Sequence, residues 1–236
     1  AGTKIFKSKD EMLEYAKANG HKFYVAVHKA YAQEKLLSEG DDAWQIKSCY
    51  AFLSFPDIKS YIRFVLSVPA DRRHFFEMSV ADLKFYCDFD GGTEEQHIEL
   101  RDLLIKYYAE LGLTVPADQI KALTGSRPDK ISTHLIVNDG HFFKTIEDMA
   151  RLGKGFIAYV QRENRALAGI VDDIWNTDRN FRAPGCSKAD DKTNTPMSCQ
   201  LLEMDDLLKD PSYLIQTDGG EGLTEFELTD DIVQKL

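Results

Sequence analysis

The chain has 236 residues, 43% of them hydrophobic and 29% charged, the balance of an ordinary folded domain. Its 29 Lys and Arg stand against 39 Asp and Glu, a net charge of −10. That excludes a broad basic surface coating nucleic acid without regard to sequence, while a narrow basic channel on an acidic body remains compatible. No run approaches the roughly 20 apolar residues that cross a bilayer, and Ala1-Gly2-Thr3-Lys4 lacks a basic-then-apolar leader, so we expect an intracellular protein with no membrane partner.

Ser8-Lys9-Asp10-Glu11 is a capping box, which predicts a helix to about Asn19 with Gly20 as its stop. Residues 23–27 read as a strand. Residues 50–55 and 61–68 are apolar-rich without a decisive period. Residues 72–78 and 83–90 read as two strands joined near Ser79-Val80-Ala81-Asp82. Gly91-Gly92 ends the second, and Thr93-Glu94-Glu95-Gln96 opens a long amphipathic helix through Leu100, Leu103, Leu104, Tyr107, Tyr108 and Leu111, closed by Gly112. Residues 119–124 and 130–137 are strand candidates, with a turn at Asn138-Asp139-Gly140. Thr145 opens another helix, residues 170–175 read as a strand, 183–196 as loop, and the tail holds one strand near 226–228. Strands and helices mix without βαβ alternation, which predicts an α+β fold. There is no repeat, low-complexity tract or linker.

Four cysteines, Cys49, Cys87, Cys186 and Cys199, form no CxxC pair and have no His at zinc-ligand spacing. They are expected to be isolated thiols, with neither a disulfide framework nor zinc.

The chemistry begins in Cys87-Asp88-Phe89-Asp90-Gly91-Gly92. Side chains alternate along a strand, so Asp88 and Asp90 share one face while Phe85, Cys87 and Phe89 take the other. Two carboxylates this close repel, and burying them is costly without a counter-charge. A divalent cation resolves both problems, and Mg²⁺ or Mn²⁺ favours such oxygen ligands. A solvated turn explains the same residues more blandly. In Lys130-Ile131-Ser132-Thr133-His134, alternation puts an ammonium, a hydroxyl and an imidazole on one face, a cradle for phosphate oxygens. Thr177-Asp178-Arg179-Asn180-Phe181-Arg182-Ala183-Pro184-Gly185-Cys186-Ser187-Lys188 sets Arg182 and Lys188 about a Pro-Gly turn, suited to triphosphate or template phosphate. Upstream, Asp172 or Asp173 is able to complete a carboxylate triad, and spacing alone does not choose between them.

Taken in order, these segments resemble the motifs of the archaeo-eukaryotic primase superfamily, in the branch that holds PrimPol and the primases of large DNA viruses. Asp88-Phe89-Asp90 is similar to the acidic first motif, Ser132-Thr133-His134 to the Ser-x-His second motif, and Asp172 or Asp173 to the third. Arg179-Asn180-Phe181-Arg182 with Gly185-Cys186-Ser187-Lys188 resembles the RNFR…SSK stretch, and Arg73-His74-Phe75-Phe76-Glu77 also resembles that branch. Cys186 stands where the family often has Ser, and Val171 where the third-motif Asp is expected. The resemblance covers about residues 72–188. It implies a primase-type catalytic core, one domain over 1–236 with an N-terminal αβ lobe (about 1–80) and an RRM-like lobe (about 81–236) around a cleft. It implies template-directed nucleotidyl transfer on single-stranded DNA with two Mg²⁺ or Mn²⁺ ions and NTP or dNTP substrates. Asp88, Asp90 and Asp172, with Asp173 as the fallback, would hold metal. Lys130, Ser132, His134, Arg182 and Lys188 would hold the triphosphate, and Arg72, Arg73, Arg127 and Arg179 are candidates for template. No cysteine- and histidine-rich zinc module and no GxxxxGK[ST] helicase loop follow. The chain is therefore read as a catalytic module of a longer replication protein, with a helicase domain or protein as partner. Two other readings compete: a primase-like nucleotide- and DNA-binding module that has lost synthesis, and a metal-dependent nuclease built on Asp88, Asp90 and His134.

Overall fold

In the computed structural model the described residues are 3–29, 32, 50–80, 82–176, 179–189 and 195–236. Cys49, Ala81, Thr177 and Asp178 lie outside them. The fold is mixed α+β, and its two larger sheets are antiparallel. Among the described residues no helix is long and apolar enough to cross a membrane.

Helix α1 (Lys9–Asn19) starts as its capping signal predicts. Ser8 accepts from the Glu11 amide, and Gly20 closes the helix at φ 67°. Strands β1 (Phe23–His28) and β2 (Tyr50–Phe55) pair antiparallel. The ambiguous run at 61–68 is resolved as helix α2 (Ile58–Ser67), capped by Asp57. Tyr61 and Val65, one turn apart, bury on the sheet while Lys59 and Arg63 do not. β3 (Phe75–Met78) pairs with β1. α1 covers one face of this sheet through Met12 and Ala16. α2 covers the other, over Phe23, Val25, Leu53 and Phe75.

The second sheet holds the first carboxylate motif. β4 (Tyr86–Asp90) pairs with β6 (Ser132–Val137), which pairs with β5 (Ile120–Thr124). Helices α3 (Glu94–Glu110) and α4 (Ile146–Glu163) pack into one core with it. Phe85, Cys87 and Phe89 all point into that core, which leaves the other face of β4 for Asp88 and Asp90. α3 begins with a complete Thr93–Gln96 capping box, and Thr145 caps α4.

Four sequence-based expectations shift. Arg72 lies in a 3-10 turn (Ala70–Arg72) rather than on a strand. The strand expected from 130 begins at Ser132, because Lys130 and Arg127 exchange backbone bonds in a tight turn. The strand expected at 170–175 is a 3-10 helix (Arg165–Ile170) followed by extended chain with one bridge, Val171 to Phe89. Ile174 and Trp175 both bury in the second-sheet core without extending that bridge into a ladder. The tail strand is β9 (Thr224–Glu225), parallel to β7 (His141–Phe142), and Phe226 only donates to the Phe142 carbonyl.

β8 (Asn180–Arg182) follows the second-sheet elements in sequence yet adds to β3 of the first sheet. Ala183, Cys186, Leu208 and Leu214 bury in the first-sheet core as well. A cut at residue 80 therefore does not separate the cores: the chain returns, and that return carries Arg182 and Lys188 to face β4. Cys87 and Cys186 are buried free thiols, and Cys199 is half-buried and free.

Candidate active site

Between the two sheets lies a cleft of about 320 Å³, lined among others by Asp88, Asp90, Lys130, Ser132, His134, Arg182 and Lys188. Three segments separated in sequence meet there. Antiparallel register sets Asp88 opposite His134 and Asp90 opposite Ser132, so all four side chains share one face, as alternation predicts. Lys130 sits in the turn before β6, and its Nζ reaches Asp90 Oδ2 at 2.7 Å. Gly91 and Gly92 follow at φ 84° and 73°, a conformation that side chains with a β-carbon resist, so the chain turns away immediately behind Asp90.

Asp88 is the innermost acid. Burial, the charge of Asp172 and the charge of Asp90 push its carboxyl up to about 7, against the pull of Arg182 and Lys188. Its Oδ1 is buried without a hydrogen-bond partner. His134 Nε2 stands 3.6 Å from that oxygen, too far for a hydrogen bond. His134 is itself buried. Desolvation and the nearby Arg182 and Lys188 charges push its pKa down to about 3, so it is a neutral imidazole at pH 7. Its ring stacks on Phe181, centroids 4.0 Å apart.

The third carboxylate is chosen by the backbone. The Asp172 amide donates to the Asp88 carbonyl at 2.9 Å, which brings Asp172 beside Asp88, whereas Asp173 is exposed. Trp175 fixes this segment by donating from its indole to the Tyr86 carbonyl at 2.8 Å. Among the described residues no three His, Cys, Asp or Glu side chains stand together as a ready metal cage. A hard cation of the Mg²⁺ type takes only one or two carboxylates and completes its shell with water and substrate phosphate. The unpartnered buried Asp88 oxygen, with Asp90 two residues on along the same face, fits such an ion.

On the opposite wall, Arg182 donates to the Thr195 carbonyl at 3.2 Å. It passes over Gly125, where a β-carbon would stand 3.2 Å from the guanidinium. Lys188 follows a tight turn closed by the Cys186 amide on the Ala183 carbonyl, after which the Ser187 amide donates to the Arg73 carbonyl. Of the four arginines expected at template, Arg127 and Arg179 line the cleft, with Arg127 near Asp129 at 3.7 Å. Arg73 does not reach it. Its guanidinium is buried and donates to the Val65 and Val68 carbonyls, tying down the C-terminus of α2. Arg72 is exposed and is not among the cleft-lining side chains.

Sequence reasoning missed Gly125, Tyr86, Phe181 and His97. Gly125 and Tyr86 line the cleft and carry no local signal. Phe181 lies within a recognised motif, but only folding places it on His134. His97 lies behind the cleft, bonded to Gly91 and Thr133, and its spacing along α3 announces nothing. No protein-family model matches the chain, and no curated protein matches it.

Proposed function

We propose that this chain is a primase-polymerase catalytic domain of the archaeo-eukaryotic type, adding nucleotides to a 3′-hydroxyl on single-stranded DNA. The observation that carries the reading is the convergence in one cleft of Asp88 and Asp90 with Lys130, Ser132, His134, Arg182 and Lys188, with Asp172 near enough to act on the Asp88 carboxyl. Carboxylates alone describe many hydrolases; cationic and hydroxyl groups directly facing them describe a site for a metal-bound polyphosphate. In the reaction the 3′-oxygen bonds to the α-phosphorus and the bond to pyrophosphate breaks. Divalent ions held by Asp88, Asp90 and Asp172 would neutralise the phosphates and favour ionisation of the 3′-hydroxyl. Ser132 offers a hydroxyl and His134 an imidazole to the phosphate chain, Arg182 a fork of N–H donors, and Lys130 and Lys188 point charges. Arg127 and Arg179, at the same cleft, suit template phosphates.

Primer extension on a single-stranded template with Mg²⁺ or Mn²⁺ tests this. Asp88→Ala with Asp90→Ala is expected to lower the rate at least about a hundredfold, since several kcal/mol of charge stabilisation are lost. Asp172→Asn is expected to follow it and Asp173→Asn to stay within about twofold of wild type. Wild-type protein that extends nothing, or an Asp88/Asp90 double variant as fast as wild type, sinks the proposal.

A second reading, a binding module without synthesis, is favoured by the Lys130–Asp90 ion pair, which already neutralises one carboxylate, and by the net charge of −10. Metal-dependent nucleotide binding with no product at any enzyme concentration selects it. Template degradation without added nucleotides selects the nuclease instead.

A further inference from the structure

On the side of the β4–β6 pair away from the cleft, α3 presents His97, 6% exposed. Its Nε2 lies 2.6 Å from the Gly91 carbonyl and its Nδ1 2.8 Å from the Thr133 hydroxyl. A carbonyl only accepts, so Nε2 donates to it, and Nδ1 and the Thr133 hydroxyl share the second bond. The ring also meets the edge of Phe89, centroids 5.8 Å apart at 78°. One side chain thus joins the residue after Asp90 to the residue after Ser132.

The turn it holds is under load. Asp90 is repelled by Asp88, and its ion-pair partner among the described residues is Lys130, whose side chain is 44% exposed and therefore weakly restraining. Gly91 is tied on one side by its amide, which donates to the Ile131 carbonyl at 2.8 Å, and on the other by His97. α3 is itself fixed to the turn: the His97 amide donates to the Thr93 carbonyl, inside the Thr93–Gln96 capping box. Helix, turn and β6 are thus bonded to one another through His97.

We propose that His97 is a positioning residue that holds the Asp90 turn at metal-binding separation from Asp88 and in register with Ser132. The proposal rests on the reading of Asp88 and Asp90 as metal carboxylates. Groups that orient a metal ligand from behind typically change affinity by 10–100-fold when removed. His97 acts through the backbone, so the lower end applies.

The test is Mn²⁺ affinity of the whole chain, read from the electron paramagnetic resonance signal of free Mn²⁺, beside thermal melting and extension kinetics. His97→Leu is expected to weaken Mn²⁺ binding about tenfold and to move the Mn²⁺ dependence of extension by the same factor. Nucleotide KM at saturating Mn²⁺ should change less than the Mn²⁺ affinity, because Arg182 and Lys188 stand on the opposite wall, away from His97. His97→Gln has an amide to donate to Gly91 and an oxygen to accept from Thr133, so it should recover to within about threefold of wild type. Thr133→Val should weaken binding less than His97→Leu, and the two should be non-additive. Mn²⁺ affinity within twofold of wild type in a cooperatively melting His97→Leu overturns the proposal. If that variant does not fold, wild-type affinity in Thr133→Val overturns it instead. A wild-type chain that binds no Mn²⁺, or Asp88→Asn that binds it as wild type does, removes the metal reading itself and is told apart because the His97 variants then have nothing to change.

Discussion

Lys130 and Asp90 meet at 2.7 Å with side chains 44% and 31% exposed. A solvent-screened pair of this kind is worth about 0–1 kcal/mol, so on the proposed function a divalent ion would displace the ammonium from the carboxylate at little cost. On that proposal the released Lys130 would be free to meet phosphate. Two opposite effects follow from one substitution. Lys130→Ala should raise affinity for Mn²⁺ alone by up to about fivefold, the factor corresponding to the lost pair, and weaken nucleotide binding in the presence of metal. Isothermal titration with Mn²⁺ and then with nucleotide measures both, and a fall in both affinities contradicts the exchange. Asp88 behaves differently. It is deeper, its Oδ1 has no partner, and burial with two neighbouring carboxylates pushes its carboxyl upward, so its need for a cation is greater than that of Asp90.

At the scale of elements, the extended segment bearing Asp172 is held where α4 meets Trp175. A β-carbon at Gly153 would overlap the Trp175 indole. That ring cannot step aside, since it donates to the Tyr86 carbonyl and stacks on Phe85, centroids 5.7 Å apart. Alanine ordinarily improves a helix interior by about 1 kcal/mol over glycine, whereas overpacking a fixed core costs about 1–3 kcal/mol. The overlap should win. Gly153→Ala is expected to lower the melting temperature by several degrees, about 2–4 °C per kcal/mol at this size. Gly169→Ala, with nothing within 4 Å of its β-carbon, should shift it by no more than about 2 °C. A Gly153→Ala protein that melts at or above wild type rules out this account of how the segment is held.

Across the whole molecule, the two sheets are joined by a buried polar connection rather than by apolar packing alone. Glu77 on β3 accepts from the Ile215 and Gln216 amides, each at 3.0 Å. The Gln216 side chain in turn bonds both the amide and the carbonyl of Tyr24 on β1. Lys84, just before β4, donates to the Pro211 carbonyl. Burial pushes Glu77 up to about 7 and Lys84 down to about 8, each against the favourable charge of the other. For Glu77 the folded pKa lies above the unfolded one, so its contribution is fully present below about 4.5 and is lost as pH rises through 7. For Lys84 the folded pKa is depressed, so its contribution is present above about 10.5 and is lost as pH falls through 8. Between 7 and 8 both are charged and the connection is at its most strained. Comparing urea unfolding of wild type with Glu77→Gln across pH 4.5–7 isolates the carboxyl. Wild type should lose stability relative to the variant over that interval, on the order of a few kcal/mol, and parallel curves would contradict it.

Much of the site was legible before folding because it depends on short-range rules. Alternation alone placed Asp88 with Asp90 and Ser132 with His134, and capping boxes placed the starts of α1 and α3. These follow from backbone geometry and nearest-neighbour chemistry, which the order of residues determines by itself. The sequence also called for α+β mixing and for isolated thiols, which Cys87, Cys186 and Cys199 are. What lay beyond it required distant segments to meet. The choice of Asp172 over Asp173 was made by one amide bonding the Asp88 carbonyl. Arg73 has the same local character as Arg72, and only the position of the α2 C-terminus turned it inward. β8 crossing back to β3 set Arg182 and Lys188 against β4, and His97 acquired its partners from a turn and from a strand on either side of it. Such contacts are decided by which apolar faces bury against each other over the whole chain, and tertiary structure alone makes that decision.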